Sequence, residues 1–264
     1  MLNLPKFWPV PLSDLINFVA FLEKSGYKAS TAKSYISGLS FKMKMLGMSD
    51  TTKSFIISKM LHGMEKLHKR VDARKPITFE ILEKIITALP NVCSSNYEST
   101  LFASTFSIAF FGFLRVGEFA LSTNSERHML QIQDVSFDID RHQIILRLPS
   151  SKTDQFAAST NLTIDACSNS AICPVNKLIN YLKLRPKVVG ALFCHLNRTP
   201  LTRFQVSSIL KSALNFVHLN ANDFNTHSFR IGAATSFAIQ GKSDEQIKKL
   251  GRWKSSAFNK YIRL

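Results

Sequence analysis

Apolar residues recur at helical spacing in three stretches of the first 67 residues. The pattern predicts three amphipathic helices, because positions three or four apart fall on one helix face. The apolar positions are Leu12, Leu15, Ile16, Val19 and Leu22 in the first stretch, Tyr35, Ile36, Leu39 and Met43 in the second, and Phe55, Ile56, Met60, Leu61 and Met64 in the third. Ser13 is a candidate cap for the first helix and Gly26 is expected to end it, while Ser30 or Thr31 should begin the second.

A basic, polar segment separates this helical part from the rest of the chain. Residues 66–75 read KLHKRVDARK and are followed by Pro76. A charge run followed by a proline is typical of a linker. The sequence therefore predicts a helical domain over residues 1–72 and a second domain over residues 73–264.

The second domain begins with helical patterns and then changes period. Thr78 is a candidate cap for a helix through Leu89, and residues 97–111 are so apolar that a buried helix is expected there. Residues 130–164 show the alternation of short strands, with a turn at 138–141, which predicts a three-stranded antiparallel sheet. The apolar strand positions are Ile132 and Val135, then Ile144, Leu146 and Leu148, then Leu162 and Ile164.

Helical patterns resume near Pro174 and continue to the end of the chain. The S/T-x-x-E/Q capping box occurs twice, at Thr202 with Gln205 and at Ser243 with Gln246. The predicted fold class is mainly α with a small antiparallel β-sheet.

The composition is that of a globular protein with a basic surface. The chain has 264 residues, 45% of them hydrophobic, and 34 Lys and Arg against 18 Asp and Glu give a net charge of +16. Residues 1–75 hold thirteen of the basic and five of the acidic residues, so half of the excess lies in little more than a quarter of the chain. Such a charge favours a polyanionic partner, because cations that neutralise phosphates release counterions. A ribosome-associated, membrane-surface or merely basic protein is the alternative.

Several other classes of protein do not fit the sequence. No run of about 18 apolar residues is present, so neither a transmembrane helix nor a membrane partner is expected. The four cysteines lack CxxC spacing, which makes a zinc site or a disulfide framework a poor interpretation and reduced thiols the default. The sequence also has neither a P-loop nor a carboxylate metal cluster.

Two of the four segments that could carry chemistry lie in the middle of the chain. FFGFLRVGEF, residues 110–119, places Arg115 in apolar surroundings, where an unpaired charge is unfavourable, and Glu118 could orient it if the segment is helical. PSSKTDQ, residues 149–155, places Lys152 between predicted strands, at the tip of a hairpin. A buried structural ion pair and an ordinary polar turn are the alternative interpretations.

The other two segments lie near the end of the chain. In NTHSFRIGAATSFA, residues 225–238, Thr226 could cap a helix whose first turn presents His227 and Arg230 on one face, where the dipole and free N–H groups favour anions. LGRWKSSAFNKYIRL, residues 250–264, places Trp253 and Tyr261 among basic residues. The alternatives are a capping histidine with a surface arginine, and a basic tail with a packing aromatic residue.

Together, these four segments resemble the tyrosine recombinases, the family of phage integrases, Cre and Xer. The order Arg, Lys, His-x-x-Arg, Trp or His, Tyr is matched from Arg115 to Tyr261. The sequences FLRVGEF, HSFRIGAAT and GRWKSSAFNKYIRL are most similar to those of recombinases of eukaryotic DIRS and Crypton mobile elements. The resemblance implies a SAM-like helical core-binding domain followed by the recombinase catalytic domain. It also leaves one assignment open, because Arg252 stands where the family commonly has His or Trp, one residue before Trp253.

The resemblance implies a role for each residue of the site. Arg115 and Arg230 would hold the scissile phosphate, and Tyr261 would attack it to form a 3′-phosphotyrosyl link. The remaining residues implied are Lys152 as the acid for the leaving oxygen, His227 for proton transfer, Trp253 beside the phosphate and Glu118 as their support. Candidate contacts to the DNA backbone are Lys33, Lys42, Lys44, Lys69, Arg70, Arg252 and Lys254, although solvated helix faces are the ordinary interpretation of such residues.

The function expected from the resemblance is site-specific DNA recombination or integration for a mobile element, without metal or ATP. The partners would be double-stranded DNA and further copies of the chain, as a dimer to a tetramer on the DNA. The protein would be nuclear in a eukaryote and cytoplasmic otherwise. A domesticated, non-catalytic DNA-binding protein and a type IB topoisomerase are the alternatives, of which the first would keep the charge but not need the tyrosine.

Overall fold

The computed structural model describes residues 8–67, 72–121, 129–149 and 159–263. The chain divides into two compact units, Met1–Asp72 and Ala73–Leu264. The helices are α1 (Leu12–Lys24), α2 (Ala29–Met45), α3 (Phe55–Leu67), α4 (Phe79–Val92), α5 (Asn96–Phe111), α6 (Val116–Phe119), α7 (Pro174–Leu184), α8 (Arg203–Phe216), α9 (Ser228–Ile239) and α10 (Asp244–Leu250). The strands are β1 (Val135–Asp138), β2 (Gln143–Leu148) and β3 (Thr160–Asp165). The fold is thus mainly helical with a small antiparallel sheet, as the sequence predicts.

The first unit consists of the three expected helices, packed around their own apolar core. The core residues are Leu15, Val19 and Leu22 from α1, Ala29, Ala32 and Ile36 from α2, and Ile57, Leu61 and Met64 from α3. The predicted helix faces were wrong for Tyr35, Phe55 and Ile56, which are exposed. In α2, the small residues Ala29 and Ala32 are buried instead, in the core that α2 shares with α1 and α3.

Two predicted starts of helices in the first unit were also wrong. Helix α1 begins directly after Pro11, so Ser13 lies inside the first turn and does not cap it. Helix α2 begins at Ala29, one residue before the earlier of the two predicted starts, and its cap position is Lys28. Gly26 has a φ of +75°, a left-handed conformation that glycine adopts without strain, and the chain turns there between the two helices.

The second unit is built around α5, which is buried on nearly all sides. Residues 101–111 of this helix are buried without exception, and α5 packs against α4, α7 and α9. The expected cap of α4 is confirmed, because Thr78 Oγ1 accepts a hydrogen bond from the backbone N–H of Ile81 at 3.3 Å. Both predicted capping boxes, at the starts of α8 and α10, are confirmed as well.

The three strands form one antiparallel sheet in the order β1-β2-β3. Ile144 pairs with Phe137 on one side and Ile164 on the other, so the alternating apolar positions of β2 and β3 share one buried face. The predicted turn at 138–141 is present, with Asp138 accepting a hydrogen bond from the backbone N–H of Arg141. Ile132 was wrongly placed in a strand, since it begins a single 3-10 turn before β1.

The backbone of the segment before α4 packs closely against the small residues of α9. The backbone N–H of Ile77 donates to the Ser228 carbonyl at 3.1 Å. A Cβ atom on Gly232 would lie 1.7 Å from the carbonyl oxygen of Ile77, so only glycine fits at that position. This close approach fixes α9 against the segment that leads into α4.

Candidate active site

Arg115 lies at the point where the chain leaves α5 and enters the short helix α6. Glu118, in the first turn of α6, accepts a hydrogen bond from the backbone N–H of Arg115 at 2.8 Å and one from its Nη1 at 3.2 Å. The Glu118 side chain is buried, with 7% exposed, whereas that of Arg115 is 38% exposed. The predicted pairing is therefore present, and it leaves the Arg115 guanidinium accessible to a ligand.

Arg230 lies in the first turn of α9 and is almost completely buried, with 1% of its surface exposed. Its Nη1 donates to the carbonyl oxygen of Phe113, and its Nη2 donates to that of Gly251. Its Nε has no hydrogen-bond partner among the described residues. Carbonyl oxygens thus orient the guanidinium while leaving part of its donor capacity unused.

The surroundings of Arg230 disfavour the charged form of its guanidinium group. Burial, together with the nearby positive charges of Arg115 and Arg252, lowers the pKa of the Arg230 guanidinium to about 10, while Glu118 acts in the opposite direction. The group stays protonated at neutral pH. A bound anion would relieve both the desolvation and the repulsion, since each disfavours the charged form.

Arg252 lies within the same cluster of charged groups. Its Nη2 donates to Glu118 Oε2 at 3.0 Å and to the carbonyl oxygen of Phe113 at 3.1 Å, and its side chain is only 15% exposed. The sequence had placed Arg252 among the surface contacts to DNA or, alternatively, at the His or Trp position of the site. Its contacts place Arg252 beside Glu118 and the carbonyl oxygen that Arg230 also binds.

Trp253 lies over Arg230, with the guanidinium carbon 4.4 Å from the centre of the indole ring. A Cβ atom on Gly251 would lie 1.6 Å from the indole ring, so the ring can occupy this place only because residue 251 is glycine. The next residue, Arg252, turns the chain with a φ of +55°. The structure thus brings both candidates for the open position, Arg252 and Trp253, to the same centre.

Tyr261 reaches the cluster from the last described turn, a 3-10 helix over Ser256–Tyr261. Its ring centre is 4.8 Å from that of Trp253, 5.0 Å from that of His227 and 5.6 Å from the guanidinium carbon of Arg230. Thr235 of α9 anchors this turn, because its hydroxyl donates to the Tyr261 carbonyl at 3.1 Å and accepts from the backbone N–H of Arg263 at 3.0 Å.

His227 occupies the cap position of α9, where Thr226 had been expected. Its backbone N–H is bonded to Asn225 Oδ1 at 2.8 Å, so the Asn225 side chain fixes the entry into the helix. His227 and Arg230 were predicted to lie on one face at the start of the helix, and both side chains lie against the ring of Tyr261.

The remaining predicted contacts fall partly outside the described residues. This is the case for Lys152, Lys69 and Arg70. In the first unit, Lys33 pairs with Glu65 at 2.6 Å and Lys44 with Asp50 at 3.8 Å, while Lys42 is exposed. Lys254, next to Trp253 in the chain, is also exposed.

Two residues of the site were missed by the sequence analysis. The carbonyl oxygen of Phe113 accepts hydrogen bonds from both Arg230 and Arg252, and Phe113 has a φ of +47°. Nothing in a sequence marks a phenylalanine for a left-handed conformation. Thr235 was also missed, because a hydroxyl within an apolar helix gives no indication of a partner 26 residues away.

Among the residues that the structure describes, no three His, Cys, Asp or Glu side chains lie close enough together to hold a metal ion. None of the described helices has the length and apolar character needed to cross a membrane.

Comparisons with known proteins find similarity in structure alone. No family model matches the sequence, and no curated protein matches it. The structure is similar to that of the Tn1549 transposon integrase, residues 82–397, in complex with circular intermediate DNA, with 13% identity, a TM-score of 0.65, and coverage of 97% of this chain and 82% of that one.

Two further solved structures share the fold. The XerH site-specific recombinase, bound to its difH substrate in a pre-cleavage complex, is 18% identical with a TM-score of 0.64, over 96% of this chain and 67% of that one. A lambda integrase dimer bound to a COC′ core site is 18% identical with a TM-score of 0.62, over 99% and 67%. The protein therefore has the mainly helical fold of the tyrosine recombinases, including the small antiparallel sheet of their catalytic domain.

Proposed function

We propose that the protein is a site-specific DNA recombinase or integrase, which cuts and rejoins strands of double-stranded DNA through a 3′-phosphotyrosyl intermediate. The observation that carries the proposal is that two separate segments of the second unit converge on one centre: the start of α9, with His227 and Arg230, and the last described turn, with Tyr261. The fold is shared with proteins whose solved complexes contain DNA.

Arg115 and Arg230 are suited to hold the scissile phosphate. A guanidinium is planar, permanently charged and able to donate two parallel hydrogen bonds to phosphate oxygens. Charge on these oxygens grows as the phosphorus becomes pentacoordinate, so cations fixed in advance stabilise the transition state more than the ground state.

In the cleavage step, the phenolic oxygen of Tyr261 bonds to phosphorus and the bond to the 5′ oxygen breaks. His227, beside the phenol, takes up its proton, and Lys152 supplies a proton to the leaving 5′ oxygen. Attack by the 5′ hydroxyl of another strand reverses the step and restores a phosphodiester. The energy of the broken bond is kept in the phosphotyrosine, so the reaction balances without ATP or a metal ion.

Access of DNA to Arg230 requires a rearrangement of the aromatic side chains above it. Only 1% of the Arg230 surface is exposed, and the rings of Trp253 and Tyr261 lie over its guanidinium. A phosphate can therefore contact this arginine only after one of the rings moves. Such a movement would also free the tyrosine for in-line attack.

The biological setting is part of the same proposal. The three sequences FLRVGEF, HSFRIGAAT and GRWKSSAFNKYIRL support a mobile element of the DIRS or Crypton type, and the similarity to a transposon integrase agrees with integration or excision. Strand exchange between two duplexes needs several active sites, so a dimer to a tetramer would assemble on the DNA. A eukaryotic source would place the protein in the nucleus, and any other source in the cytoplasm.

The direct test is the trapping of the covalent intermediate. Nicked duplexes prepared from the repeats that flank the coding gene are incubated with the wild-type chain and with Tyr261→Phe, and covalent adducts are resolved on a denaturing gel. We expect an adduct with the wild-type chain and none with Tyr261→Phe. The matched control is Tyr35→Phe, because Tyr35 is an exposed tyrosine of the first unit.

Two results would contradict the proposal. An undiminished adduct with Tyr261→Phe would assign the chemistry to another residue. Binding of the same duplexes without any adduct would favour the alternative function, a domesticated DNA-binding protein that has lost catalysis.

A further inference from the structure

The guanidinium groups of the site form a continuous chain in which Arg252 is the middle member. Glu118 accepts from Arg115 on one carboxylate oxygen and from Arg252 on the other. The carbonyl oxygen of Phe113 accepts from both Arg252 and Arg230. Two acceptors thus hold three cations side by side, and Arg252 is the one that contacts both acceptors.

We propose that Arg252 is a third catalytic arginine, which binds the reacting phosphate together with Arg115 and Arg230. This inference rests on the proposed function and adds to it a residue that stands where the recombinase pattern has His or Trp. Four observations support it: the left-handed backbone conformation of Arg252, the unpaired donors of the cluster, the net charge of the cluster, and the contacts of Arg252 with both shared acceptors.

The backbone of Arg252 is held in a conformation that arginine rarely adopts. Its φ is +55°, and that of its hydrogen-bond partner Phe113 is +47°. Glycine usually occupies such a position at the end of a helix. Here, glycine is needed one residue earlier, at Gly251, to admit the Trp253 ring. Left-handed residues with large side chains are concentrated at functional sites, where the surrounding structure maintains the strain.

Donors in the centre of the cluster are left without partners. The Nε atoms of Arg252 and Arg230 are both buried and have no hydrogen-bond partner within the described ranges. Buried polar groups are nearly always satisfied in folded proteins, so two such donors in one site indicate that a ligand completes them. The ligand must be an acceptor, because a guanidinium carries no lone pair to offer.

The charge of the cluster fits the transition state better with Arg252 than without it. Three guanidinium groups and the Glu118 carboxylate give a net charge of +2, against +1 for a cluster lacking Arg252. A phosphodiester carries one negative charge, whereas the pentacoordinate transition state carries two. Arg252 should therefore contribute more to the rate of cleavage than to the affinity for DNA.

Two other roles are open to Arg252, and each makes a different prediction. A general contact to the DNA backbone would affect affinity more than rate. If Arg252 only formed a structural ion pair with Glu118, its loss would slow adduct formation equally on every substrate, because the defect would lie in the fold of the protein. The experiment must therefore change the charge on the phosphate and not only the charge on the protein.

The test compares two nicked duplexes that are identical except at the scissile position. One carries the ordinary phosphate, and the other a methylphosphonate, in which a methyl group replaces one non-bridging oxygen and the transition state carries one negative charge fewer. Single-turnover adduct formation and equilibrium binding are measured with the wild-type chain, Arg252→Gln and Arg252→Lys. Lys211→Gln, at an exposed lysine of α8 outside the site, is the matched control.

We expect Arg252→Gln to slow adduct formation on the phosphate duplex by about 10²-fold, the loss typical of one oxyanion donor, with only a small change in binding. On the methylphosphonate duplex the deficit should fall to less than about tenfold, since less charge remains to be stabilised. Arg252→Lys keeps the positive charge, so its rate should lie between those of the wild-type chain and Arg252→Gln. Lys211→Gln should leave the rate at saturation unchanged on both duplexes.

Three results would overturn the inference. An equal deficit on both duplexes would assign Arg252 a structural role, and a loss that disappears at saturating protein would assign it to DNA binding. If Arg252→Gln does not fold, a folded Arg252→Lys with an equal deficit on the phosphate and methylphosphonate duplexes would also contradict it. Failure of the wild-type chain to form any adduct would instead refute the proposed function itself.

Discussion

Glu118 binds two guanidinium groups and one backbone N–H with a single buried carboxylate. Its oxygens accept from Arg115, through both the backbone and Nη1, and from Nη2 of Arg252. A buried carboxylate is unfavourable unless it is paired and hydrogen-bonded, and here both conditions are met. Glu118 thus fixes the positions of the two arginine side chains.

Replacement of this carboxylate gives the prediction at the scale of single residues. Glu118→Gln leaves two arginines partly buried without their counter-charge, and we expect it to lower the free energy of unfolding of the second unit by about 2–4 kcal/mol. Urea unfolding followed by circular dichroism measures the change. Glu80→Gln is the matched control, because Glu80 pairs with Lys84 on an exposed helix face, where we expect no measurable change.

Equal stability of Glu118→Gln and Glu80→Gln would show that the ion pairs of the site contribute nothing to folding. The adduct assay separates the two effects of Glu118, because a folded Glu118→Gln variant should still form the covalent link more slowly than the wild-type chain. Arg115 and Arg252 would both be misplaced in it.

At the scale of elements, α9 connects the site to the body of the second unit. Arg230 lies in its first turn, Gly232 touches the Ile77 backbone and Thr235 holds the turn that carries Tyr261. The first turn of the helix therefore carries Arg230, and one hydroxyl further along it positions Tyr261. A shift of α9 would disturb both groups at once.

Gly232→Ala tests this packing. The added Cβ would lie 1.7 Å from the carbonyl oxygen of Ile77, so the helix or the entering segment must move, and we expect a loss of about 2 kcal/mol or more in the free energy of unfolding. The control is Gly63→Ala, in α3, where an added Cβ meets no atom within 4 Å. There the gain in helix propensity should stabilise the first unit by about 0.5–1 kcal/mol. Thermal unfolding by calorimetry distinguishes the two directions, and a neutral Gly232→Ala would contradict the close contact.

Local signals made many elements predictable, and longer-range contacts explain what could not be predicted. The caps at Thr78, Thr202 and Ser243 act over three residues, so the sequence contains both partners of each hydrogen bond. The faces of α2 and α3 were partly wrong, because large apolar residues such as Tyr35 and Phe55 are exposed while alanines are buried. Periodicity shows that a helix has a face, but the neighbouring helices decide which residues it buries.

The same distinction holds for the site. The pair Arg115 and Glu118 is three residues apart and could be predicted from helix geometry. The bond between Arg252 and Glu118 spans 134 residues, and it depends on a left-handed turn that the sequence does not indicate. Residue types and their order were therefore enough to suggest the chemistry, but the structure was needed to show that Arg252 lies inside the site.

At the scale of the whole molecule, basic residues are spread over both parts of the chain. Residues 1–75 and residues 76–264 each carry a net charge of +8. In the first unit, some lysines are already neutralised, since Lys33 pairs with Glu65 at 2.6 Å. Lys42 is exposed and makes no ion pair with any other residue that the structure describes. The lysines therefore differ in how much charge they can offer to a phosphate.

Salt dependence of DNA binding tests this distribution of charge. If six or more phosphates are contacted, the affinity should fall by about 10³-fold between roughly 50 and 200 mM salt. Lys42→Gln should weaken binding to every duplex alike and reduce the slope of log K against log salt by about 1, whereas Lys33→Gln should change it less, because Glu65 already balances that charge. Fluorescence anisotropy over a salt series gives the slopes. A flat plot for the wild-type chain, or equal slopes for all three proteins, would mean that Lys42 and its neighbours do not contact the phosphate backbone.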